Sequence, residues 1–328
     1  LIFNSKLTHF YPLDREKTQL RKDANWQDSI TQILYRPFDT QWIFYHNAVI
    51  ERARKQVMQH MMKENLGLIT RRQMLSGQPC NYVFVSNHVI SDGVIRSDNK
   101  GSESLFPLYL YNEKNNSKEW TPVSQMLLFE PKNAYSTKKP NLSESFVAKL
   151  TKSFKKTPSP EQIFYYIYAV LYSNTYRTKY ADFLKVDFPR IPFTKDYKLF
   201  IKMAEYGKRL VALHLLKSSE LDIPIARFQG KGDNTVDKLR YEGHRLFINK
   251  DQYFEGIESE IFEYQIGGYQ VCEKWLKDRK ERKLSLDDIK HYCNIVTTLK
   301  NTLEIQKSID DIFTDVENDD EDTIRRCR

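Results

Sequence analysis

"EQIFYYIYAVLY", residues 161–172, decides the fold of this chain, because every position after the first two is apolar or aromatic. A helix without a polar face has to be covered on all sides, so we expect this segment to be a buried helix. The segments before and after it alternate in polarity or carry β-branched and aromatic residues, which is typical of strands. The sequence therefore predicts an α+β fold, in which a β-rich domain is split by an inserted helical bundle and followed by a long C-terminal helix.

The helical insert is predicted to span residues 151–222. Within it, "TYRTKYADFLK" places four large side chains on one stripe of a helix: Tyr176, Tyr180, Phe183 and Leu184. "DFPRIPF" cannot be helical, because each proline makes the residue before it extended. "DYKLFIKMAEYGKRLVALHLLK" then predicts an amphipathic helix, and we interpret His214 on its apolar stripe as a core histidine rather than a catalytic base.

The first β-rich part is predicted to span residues 1–150. "ITQILYRPFDTQWIFYH", residues 30–46, predicts two short strands around a proline turn, across which we expect Arg36 to pair with Asp39. A phosphate contact is the alternative role for Arg36. "KQVMQHMMKE" predicts a short helix, and "YVFVSNHVISDGVI" and "LFPLYLY" predict further strands. Residues 112–160 are rich in Lys, Asn, Ser and Pro, which is typical of a connector.

The second β-rich part is predicted to span residues 223–283 and to complete the sheet late in the chain. Its strand signals are "IPIARF", "HRLFINK" and "SEIFEYQIGGYQV", with glycines between them. Trp275, which follows these strands, is interpreted as a core or interface anchor.

A C-terminal helix is predicted over residues 284–316. Ser285 and Asp288 resemble a capping box at its start. Apolar residues then recur in steps of three and four, which predicts a seam that packs on another helix: Ile289, Tyr292, Val296, Leu299 and Leu303. Residues 317–328 are predicted to be an acidic flexible tail.

The positive and negative charges of the chain are segregated. The net charge is +8, but residues 310–328 hold eight acidic residues and three arginines, a net charge of −5, which leaves +13 on residues 1–309. Such a balance suits nucleic acid, although many soluble basic proteins bind nothing anionic. Because the acidic segment has little apolar content, we expect the deletion of residues 310–328 to leave the fold intact.

Several classes of protein are excluded by what the sequence lacks. No run of 18 apolar residues and no signal peptide occur, so we expect a cytoplasmic chain without membrane contact. The four cysteines lie far apart, which supports neither disulfides nor a zinc site. The phosphate loop of ATPases and the motifs of adenine methyltransferases and nucleases are missing, so we expect no catalytic residues, metal or cofactor. The first residue is Leu, and we expect the chain to be part of a longer polypeptide.

Basic and amide side chains on predicted turns are the remaining candidates for function. Arg71, Arg72 and Gln73 are candidate base-reading residues, because paired hydrogen-bonding groups of Arg and Gln match the edges of guanine and adenine. A solvated loop explains this tripeptide equally well. Asn87 is a further base-reading candidate, although such residues more often cap turns. The candidates for phosphate contacts are Arg52, Arg54, Lys55 and Lys231.

Several stretches together resemble a known family. They are "ILYRPFDTQWIFY", "VMQHMMKENLGLITRRQ", "FVSNHVISDG", "LFPLYLY", "IFYYIYAVLYSNTYRTKYADFLKVDFPRIPF", "LVALHLLK", "RLFINKDQYFEGI" and "YQIGGYQVCEKWLKDRKERKLSLDDIKHY". In this order they resemble the C-terminal specificity region of the large single-polypeptide Type ISP restriction-modification enzymes and of related adenine-specific DNA methyltransferases. The resemblance covers almost the whole chain. "ERARK" departs from the Arg-Pro-Arg expected near the first helix, so a phosphate contact there does not follow from the family.

The resemblance implies a function for the chain and for the protein around it. The chain would be the target recognition domain of a bacterial restriction system, a sequence-specific module that binds double-stranded DNA. The nuclease, the ATP-driven translocase and the N6-adenine methyltransferase would lie elsewhere in the same polypeptide. The parent enzyme would use S-adenosylmethionine, ATP and Mg²⁺, none of which this chain would bind.

Two other functions compete with DNA recognition. A scaffold would dock protein domains through the seam at 289–303 and the aromatic helices, without sequence-specific reading of DNA. A nuclease would hide its carboxylates at scattered positions. DNA binding that is blind to sequence would favour the scaffold, and metal-dependent nicking would favour the nuclease.

Overall fold

The computed structural model describes residues 20–46, 48–50, 53–74, 77–97, 102–111 and 138–318. In the first β-rich part it places strands β1 (Ile30–Arg36), β2 (Asp39–Phe44), β3 (Gly67–Arg71), β4 (Val83–Ser86), β5 (Val89–Ile90), β6 (Glu103–Pro107), β7 (Tyr109–Tyr111) and β8 (Lys138–Pro140). It also places the short helix α1 (Lys55–Met58), which continues as a 3₁₀ turn over Gln59–Met62, and helix α2 (Glu144–Phe154). The predicted strands and first helix are therefore confirmed.

The strands of the first part form three small sheets. One has the order β2-β1-β5, with β1 antiparallel to β2 and parallel to β5. The second is antiparallel with the order β4-β3-β6, and β7 pairs with β8. Ile69, Phe84 and Leu105 occupy one register position across the second sheet, and all three are buried. This sheet thus contributes one full layer of side chains to the core.

The predicted connector at 112–160 is wrong from residue 138 onward. Residues 138–140 form β8 and residues 144–154 form α2. The helix forms because Phe146, Val147, Leu150 and Phe154 are spaced at helical intervals, and Leu150 and Phe154 are buried in the core. Residues 112–137 lie outside the described part of the chain.

The helical insert continues with α3 (Pro160–Tyr172), α4 (Asn174–Lys179), α5 (Ala181–Leu184) and α6 (Tyr197–His214). Helix α3 begins at a capping box, in which the Ser159 hydroxyl accepts from the Gln162 N–H and the Gln162 side chain accepts from the Ser159 N–H. As predicted, α3 is buried, and "DFPRIPF" contains no helix. On the predicted stripe Tyr176, Tyr180 and Leu184 are buried, whereas Phe183 is exposed.

Helices α3 and α6 pack with their backbones in close contact at Gly207. A Cβ atom at this position would lie 1.8 Å from the carbonyl oxygen of Tyr165. No side chain larger than hydrogen fits there, because real Cβ atoms do not approach backbone atoms below 3.0 Å. The predicted amphipathic helix α6 therefore packs on the buried helix α3 through Gly207. The amphipathic pattern of α6 does not indicate that this position requires glycine.

The second β-rich part forms a sheet of its own. Strands β9 (Arg227–Gln229), β10 (Arg240–Glu242), β11 (Arg245–Phe247) and β12 (Tyr253–Glu255) pair antiparallel in the order β10-β11-β12-β9. Helix α7 (Ser259–Phe262), the hairpin β13 (Gln265–Ile266) and β14 (Tyr269–Gln270), and helix α8 (Val271–Lys277) follow. "SEIF", which was predicted to be extended, is therefore helical.

The expected completion of the first sheet by late strands is wrong among the described residues. The two β-rich parts meet instead at the turn between β13 and β14. There Gly267 N–H donates to Asn81 O at 3.1 Å and Gly268 N–H donates to Ile95 O at 2.9 Å. A Cβ at Gly267 would lie 1.8 Å from that Ile95 oxygen, so the glycine permits the contact.

The longest element is helix α9 (Leu286–Asn318). The predicted capping box is confirmed, since Asp288 N–H donates to the Ser285 hydroxyl at 3.1 Å and the Asp288 carboxylate accepts from Ser285 N–H at 2.9 Å. The seam is also confirmed, because Tyr292, Val296 and Leu299 are fully buried and α9 packs on α6. These seam residues lie inside the chain, so they are not available to dock other proteins.

The described part of the acidic segment, residues 310–318, packs on the core, which corrects the expectation that this part can be deleted without effect on the fold; residues 319–328 lie outside the described part of the chain. Ile312, Phe313 and Val316 are buried. Asp310 accepts hydrogen bonds from the Ser173 hydroxyl at 2.7 Å and from the Thr175 N–H at 3.0 Å. The number of acidic residues does not show that this segment is an amphipathic helix. Its apolar residues share the inner face of the helix.

The turn between β1 and β2 corrects a second expectation. Asp39 does not pair with Arg36; its buried carboxylate accepts from the Arg279 guanidinium at 3.0 Å. Arg36 lies over the Tyr35 and Tyr269 rings, with its Cζ atom 4.2 Å and 5.1 Å from their centroids. The partner of Asp39 is thus 240 residues away, beyond the reach of a turn pattern.

Candidate nucleic-acid interface

Arg71 is the last residue of β3 and is only 3% exposed. Its guanidinium lies over the Tyr82 ring, with its Cζ atom 4.8 Å from the ring centroid. Arg71 thus packs inside the chain in the absence of DNA, and its role as a base reader stays a prediction. The alternation of the strand continues through Arg71 and directs it inward.

The next three residues form a clasp on the helical insert, which we call the 72–74 clasp. Arg72 Nε donates to Asp187 Oδ1 at 2.9 Å, and Gln73 Nε2 donates to Val186 O at 2.9 Å. The Met74 N–H donates to Leu184 O at 2.9 Å. The Arg72 side chain remains 68% exposed. The clasp therefore holds an arginine and a glutamine side by side at the surface.

The electrostatics of the clasp favour a charged pair. The hydrogen bond from the Phe188 N–H and the bond from Arg72 lower the pKa of the Asp187 carboxyl. Both members of the pair are solvated, so the attraction between them is weak and screened by salt. Arg72 is thus positioned by Asp187 but remains free to exchange this partner for another acceptor.

Apolar side chains border the clasp. Phe106, Phe183 and Val186 are exposed, and the Phe106 and Phe188 rings meet edge to face with centroids 5.5 Å apart. Val186 and Phe183 also line a cleft of about 60 Å³, together with Tyr176, Tyr180, Leu184, Asp187, Phe188 and Arg190. A surface that combines exposed rings with arginine and amide groups suits the mixed apolar and polar edge of a DNA groove. No local pattern in the sequence indicates Asp187 or Val186 as partners of the clasp.

Asn87 lies in the turn between β4 and β5 and is half-buried. The turn is closed by Ser86, whose hydroxyl donates to His88 O at 2.8 Å and accepts from His88 N–H at 3.0 Å. Asn87 lines a cleft of about 90 Å³ together with His88, His214 and His291. Its side chain faces a cleft beside the core, and no hydrogen bond or ion pair between described residues joins Asn87 to Arg72 or Gln73.

Two of the predicted phosphate residues begin helix α1. Arg54 and Lys55 are exposed, and the Arg54 carbonyl accepts from the N–H groups of Val57 and Met58. Arg54 has a positive φ of 43°, and it lines a cleft of about 450 Å³. Arg52 lies outside the described residues.

Lys231, the fourth phosphate candidate, is exposed in the turn after β9. The preceding Gly230 has a φ of 96°, and a Cβ there would lie 2.1 Å from Asp251 O. The glycine lets the turn pack closely on the turn that precedes β12, and Lys231 is exposed beside this contact. Among the described site candidates, Arg72 and Gln73 thus lie together on the clasp, Arg54 and Lys55 lie together at the start of α1, and Lys231 lies in a separate turn.

His214 is confirmed as a core histidine. The Thr302 hydroxyl donates to Thr298 O at 2.7 Å, so it accepts from His214 Nε2, which lies 2.9 Å away and carries the proton. His214 Nδ1 then accepts from the Tyr168 hydroxyl at 2.7 Å. Burial lowers the pKa of His214 to about 3. Both ring nitrogens are satisfied in the neutral form, which leaves no role as a base. Trp275 is buried beneath the Arg279 guanidinium, as expected of a core anchor.

The described residues contain no cluster of His, Cys, Asp or Glu that could hold a metal ion. No helix in the same residues is long and apolar enough to cross a membrane.

Comparisons with known proteins find solved structures of similar architecture. The structure is similar to a nuclease-deletion mutant of the Type ISP restriction-modification enzyme LlaGI in complex with a DNA substrate mimic, with a TM-score of 0.59 and 19% identity over 85% of this chain and 20% of that chain. The ATP-dependent Type ISP enzyme LlaBIII bound to DNA matches with a TM-score of 0.64 and 20% identity over 90% of this chain and 19% of that chain. The DrdV-DNA complex matches with a TM-score of 0.67 and 19% identity over 89% of this chain and 29% of that chain.

These likenesses show a shared fold. The chain spans between about a fifth and three tenths of the length of the proteins it matches. None of the curated protein sequences matches it. The sequence model of the Type ISP C-terminal specificity domain matches residues 4–308, which is nearly the whole chain. The chain therefore belongs to the Type ISP C-terminal specificity domain family.

Proposed function

We propose that this chain recognises a specific sequence in double-stranded DNA on behalf of a restriction-modification enzyme. The observation that carries the proposal is the match to the specificity domain over residues 4–308. Two structural neighbours of the same fold are Type ISP enzymes in complex with DNA or a DNA mimic. The net charge of +13 on residues 1–309 fits a polyanionic partner.

The 72–74 clasp supplies the base-reading side chains in this proposal. An arginine donates two hydrogen bonds to guanine O6 and N7, and a glutamine bonds adenine N6 and N7. Asp187 and the Val186 carbonyl hold Arg72 and Gln73 in place before DNA arrives. Such positioning reduces the side-chain entropy that binding removes. Asn87, half-buried in its turn, is a second candidate for base reading.

Exposed cations supply the sequence-independent part of the affinity. Arg54 and Lys55 are exposed at the start of α1, Lys231 is exposed in the turn after β9, and Arg52 belongs with them by sequence. Phosphate contacts from such residues fix the register of a protein on the duplex without reading its sequence. We infer that these residues bind the phosphate backbone of the duplex while the 72–74 clasp reads its bases.

The chemistry belongs to other parts of the parent polypeptide in this proposal. An N6-adenine methyltransferase, an ATP-driven translocase and a nuclease would use S-adenosylmethionine, ATP and Mg²⁺ in the bacterial cytoplasm. This chain would be their DNA-binding partner and would position the adenine for the methyltransferase.

Selection of duplexes from a random pool by the purified chain tests the proposal. We expect repeated rounds to enrich one asymmetric sequence, and we expect its affinity to exceed that of a scrambled duplex at the same salt concentration. Because affinity for DNA depends on salt, both duplexes are measured over a series of concentrations. Enrichment of no sequence, with equal affinity for all duplexes, would contradict sequence recognition.

A further inference from the structure

The sheet of the second β-rich part has one face that points away from the core. Its register aligns three rows of residues across the strands. In the middle row Leu246 and Phe254 are buried, and Tyr241 and Phe228 are half-buried. Because side chains alternate along a strand, the two outer rows point to the opposite side. We call this side the arginine-aromatic face, and its residues are Arg240, Phe247, Tyr253 and Gln229 in one row and Glu242, Arg245, Glu255 and Arg227 in the other.

Two arginines of this face lie against aromatic rings. The Arg240 Cζ atom is 4.1 Å from the Phe247 ring centroid, and the Arg245 Cζ atom is 5.0 Å from that of Tyr253. The two rings are themselves 5.0 Å apart. Contact with a ring holds a guanidinium in place while its N–H groups remain available for an acceptor. Both arginines are therefore ordered before any ligand arrives.

The cations of the face are incompletely neutralised. Arg240 forms an ion pair with Glu242, and Glu255 accepts a hydrogen bond from Gln229 at 2.9 Å. Between described residues, no ion pair joins a carboxylate to Arg227 or Arg245, and both arginines are exposed. The exposed residues Lys231 and Lys250 stand in turns at one end of the sheet. The face thus offers cations in fixed positions to an anionic partner.

We propose that the arginine-aromatic face binds the phosphate backbone of duplex DNA that flanks the recognised sequence. Arg240 and Arg245 occupy diagonal positions on neighbouring strands, about 7–8 Å apart. Each guanidinium can therefore contact a different phosphate of one DNA strand. The inference rests on the proposed function. It adds a second DNA-binding surface to the 72–74 clasp, formed by residues that follow the helical insert in the sequence, whereas the clasp precedes it.

Glutamine substitution of both arginines tests the face. The Arg240→Gln/Arg245→Gln variant keeps hydrogen-bonding side chains over the rings and removes two charges. We expect it to bind the selected and the scrambled duplex more weakly by the same factor. The slope of log affinity against log salt should fall in magnitude by about 2, which is about 1 for each lost phosphate contact.

Matched variants separate a local contact from general charge. Lys202→Gln/Lys208→Gln removes two exposed charges from α6, and we expect it to leave the slope unchanged. Arg240→Lys/Arg245→Lys keeps both charges and should recover most of the slope. Thermal unfolding of each variant identifies any loss that comes from misfolding.

The outcomes distinguish this inference from the proposed function. An unchanged slope in the glutamine variant, or an equal loss in the α6 variant, overturns the inference and leaves sequence recognition standing. A loss confined to the selected duplex also overturns it, because it would assign base reading to the face. Unchanged DNA binding with weaker binding of the remaining parent polypeptide would show a protein contact instead. Equal affinity of the wild-type chain for both duplexes contradicts sequence recognition. In that case the salt slopes of the variants still show whether the arginine-aromatic face contacts phosphates.

Discussion

The 72–74 clasp and the buried contacts between α3, α6 and α9 both use hydrogen bonds to join distant segments, but their surroundings are opposite. In the clasp, Arg72 reaches Asp187 across 115 residues at the solvent-exposed surface. In the helix core, His214 reaches Thr302 across 88 residues, and both side chains are buried. Water replaces a lost partner in the clasp, whereas a lost partner in the core leaves a buried polar group unsatisfied. Burial therefore separates polar residues that hold the fold from those available to a ligand.

Among the changes to the buried helix core, removal of an aromatic ring near the end of α9 should reduce the stability of the chain most. Phe313 is fully buried, and Phe313→Ala removes its apolar contacts and leaves a cavity. We expect the free energy of unfolding to fall by about 3–5 kcal/mol, measured by urea denaturation. Asp311→Ala, two residues away on the exposed side of the same helix, is the control and should change it by less than about 0.5 kcal/mol. Equal small effects would mean that the acidic segment does not dock as described.

Acid should destabilise the helix core through His214. Its pKa in the folded chain is about 3, below the ordinary value of 6.5, so the unfolded chain takes up the proton first. Stability is then complete above pH 6.5 and is lost as the pH falls toward 3. Between pH 7 and pH 5 the loss is about 2 kcal/mol. Burial also lowers the pKa of His88 and His291, which adds to the loss in the same direction.

Comparison with His214→Gln isolates that contribution. We expect this variant to be less stable than the wild type at pH 7, because the amide does not reproduce both ring contacts. Its stability should depend less steeply on pH between 7 and 5. A pH dependence identical to that of the wild type would show that His214 is not the group that titrates.

Arg72→Ala tests the role of the solvent-exposed clasp in DNA binding. We expect a loss of about 1–3 kcal/mol in affinity for the selected duplex and a much smaller loss on a scrambled duplex. The free energy of unfolding should change by less than about 0.5 kcal/mol, because the pair with Asp187 is solvated. Gln73→Ala is the companion variant. Equal losses on both duplexes would assign Arg72 to the backbone and not to a base.

Lys231→Ala should have the smallest effect. If Lys231 contacts phosphate, all duplexes weaken about equally and the salt slope falls by about 1. Titration of the selected and scrambled duplexes at several salt concentrations measures both quantities. An effect on the selected duplex alone would show that Lys231 reads a base.

Local patterns in the sequence were sufficient to predict the helices of the insert and the start of α9. Proline at the first turn of α3, the capping box at Ser285 and the helical spacing of apolar residues all act over a few residues. The acidic composition of 310–318 misled the prediction, because net charge does not show which residues share a face. Phe313 and Val316 lie on the buried face, although four of these nine residues are acidic.

The candidate site was harder to predict than the fold, because its geometry depends on contacts over more than a hundred residues. The tripeptide at 71–73 indicated the loop that forms the clasp, but it did not show that Arg71 turns inward while Arg72 faces solvent. Asp187 lies in a segment predicted only to be extended. Asp39 was assigned to the nearest arginine, whereas the fold brings Arg279 to it.

Helix α9 has a practical consequence for transplanting this region between enzymes. Thr297 accepts from Ile225 N–H, Gln306 donates to Tyr172 O, and Asp310 caps α4. This helix of 33 residues, about 50 Å long, thus forms hydrogen bonds with other segments of the chain along most of its length. A graft that ends at residue 309 would discard the cap and the last buried turns together. A chimera that is to keep its donor's specificity should carry the donor chain through Asn318.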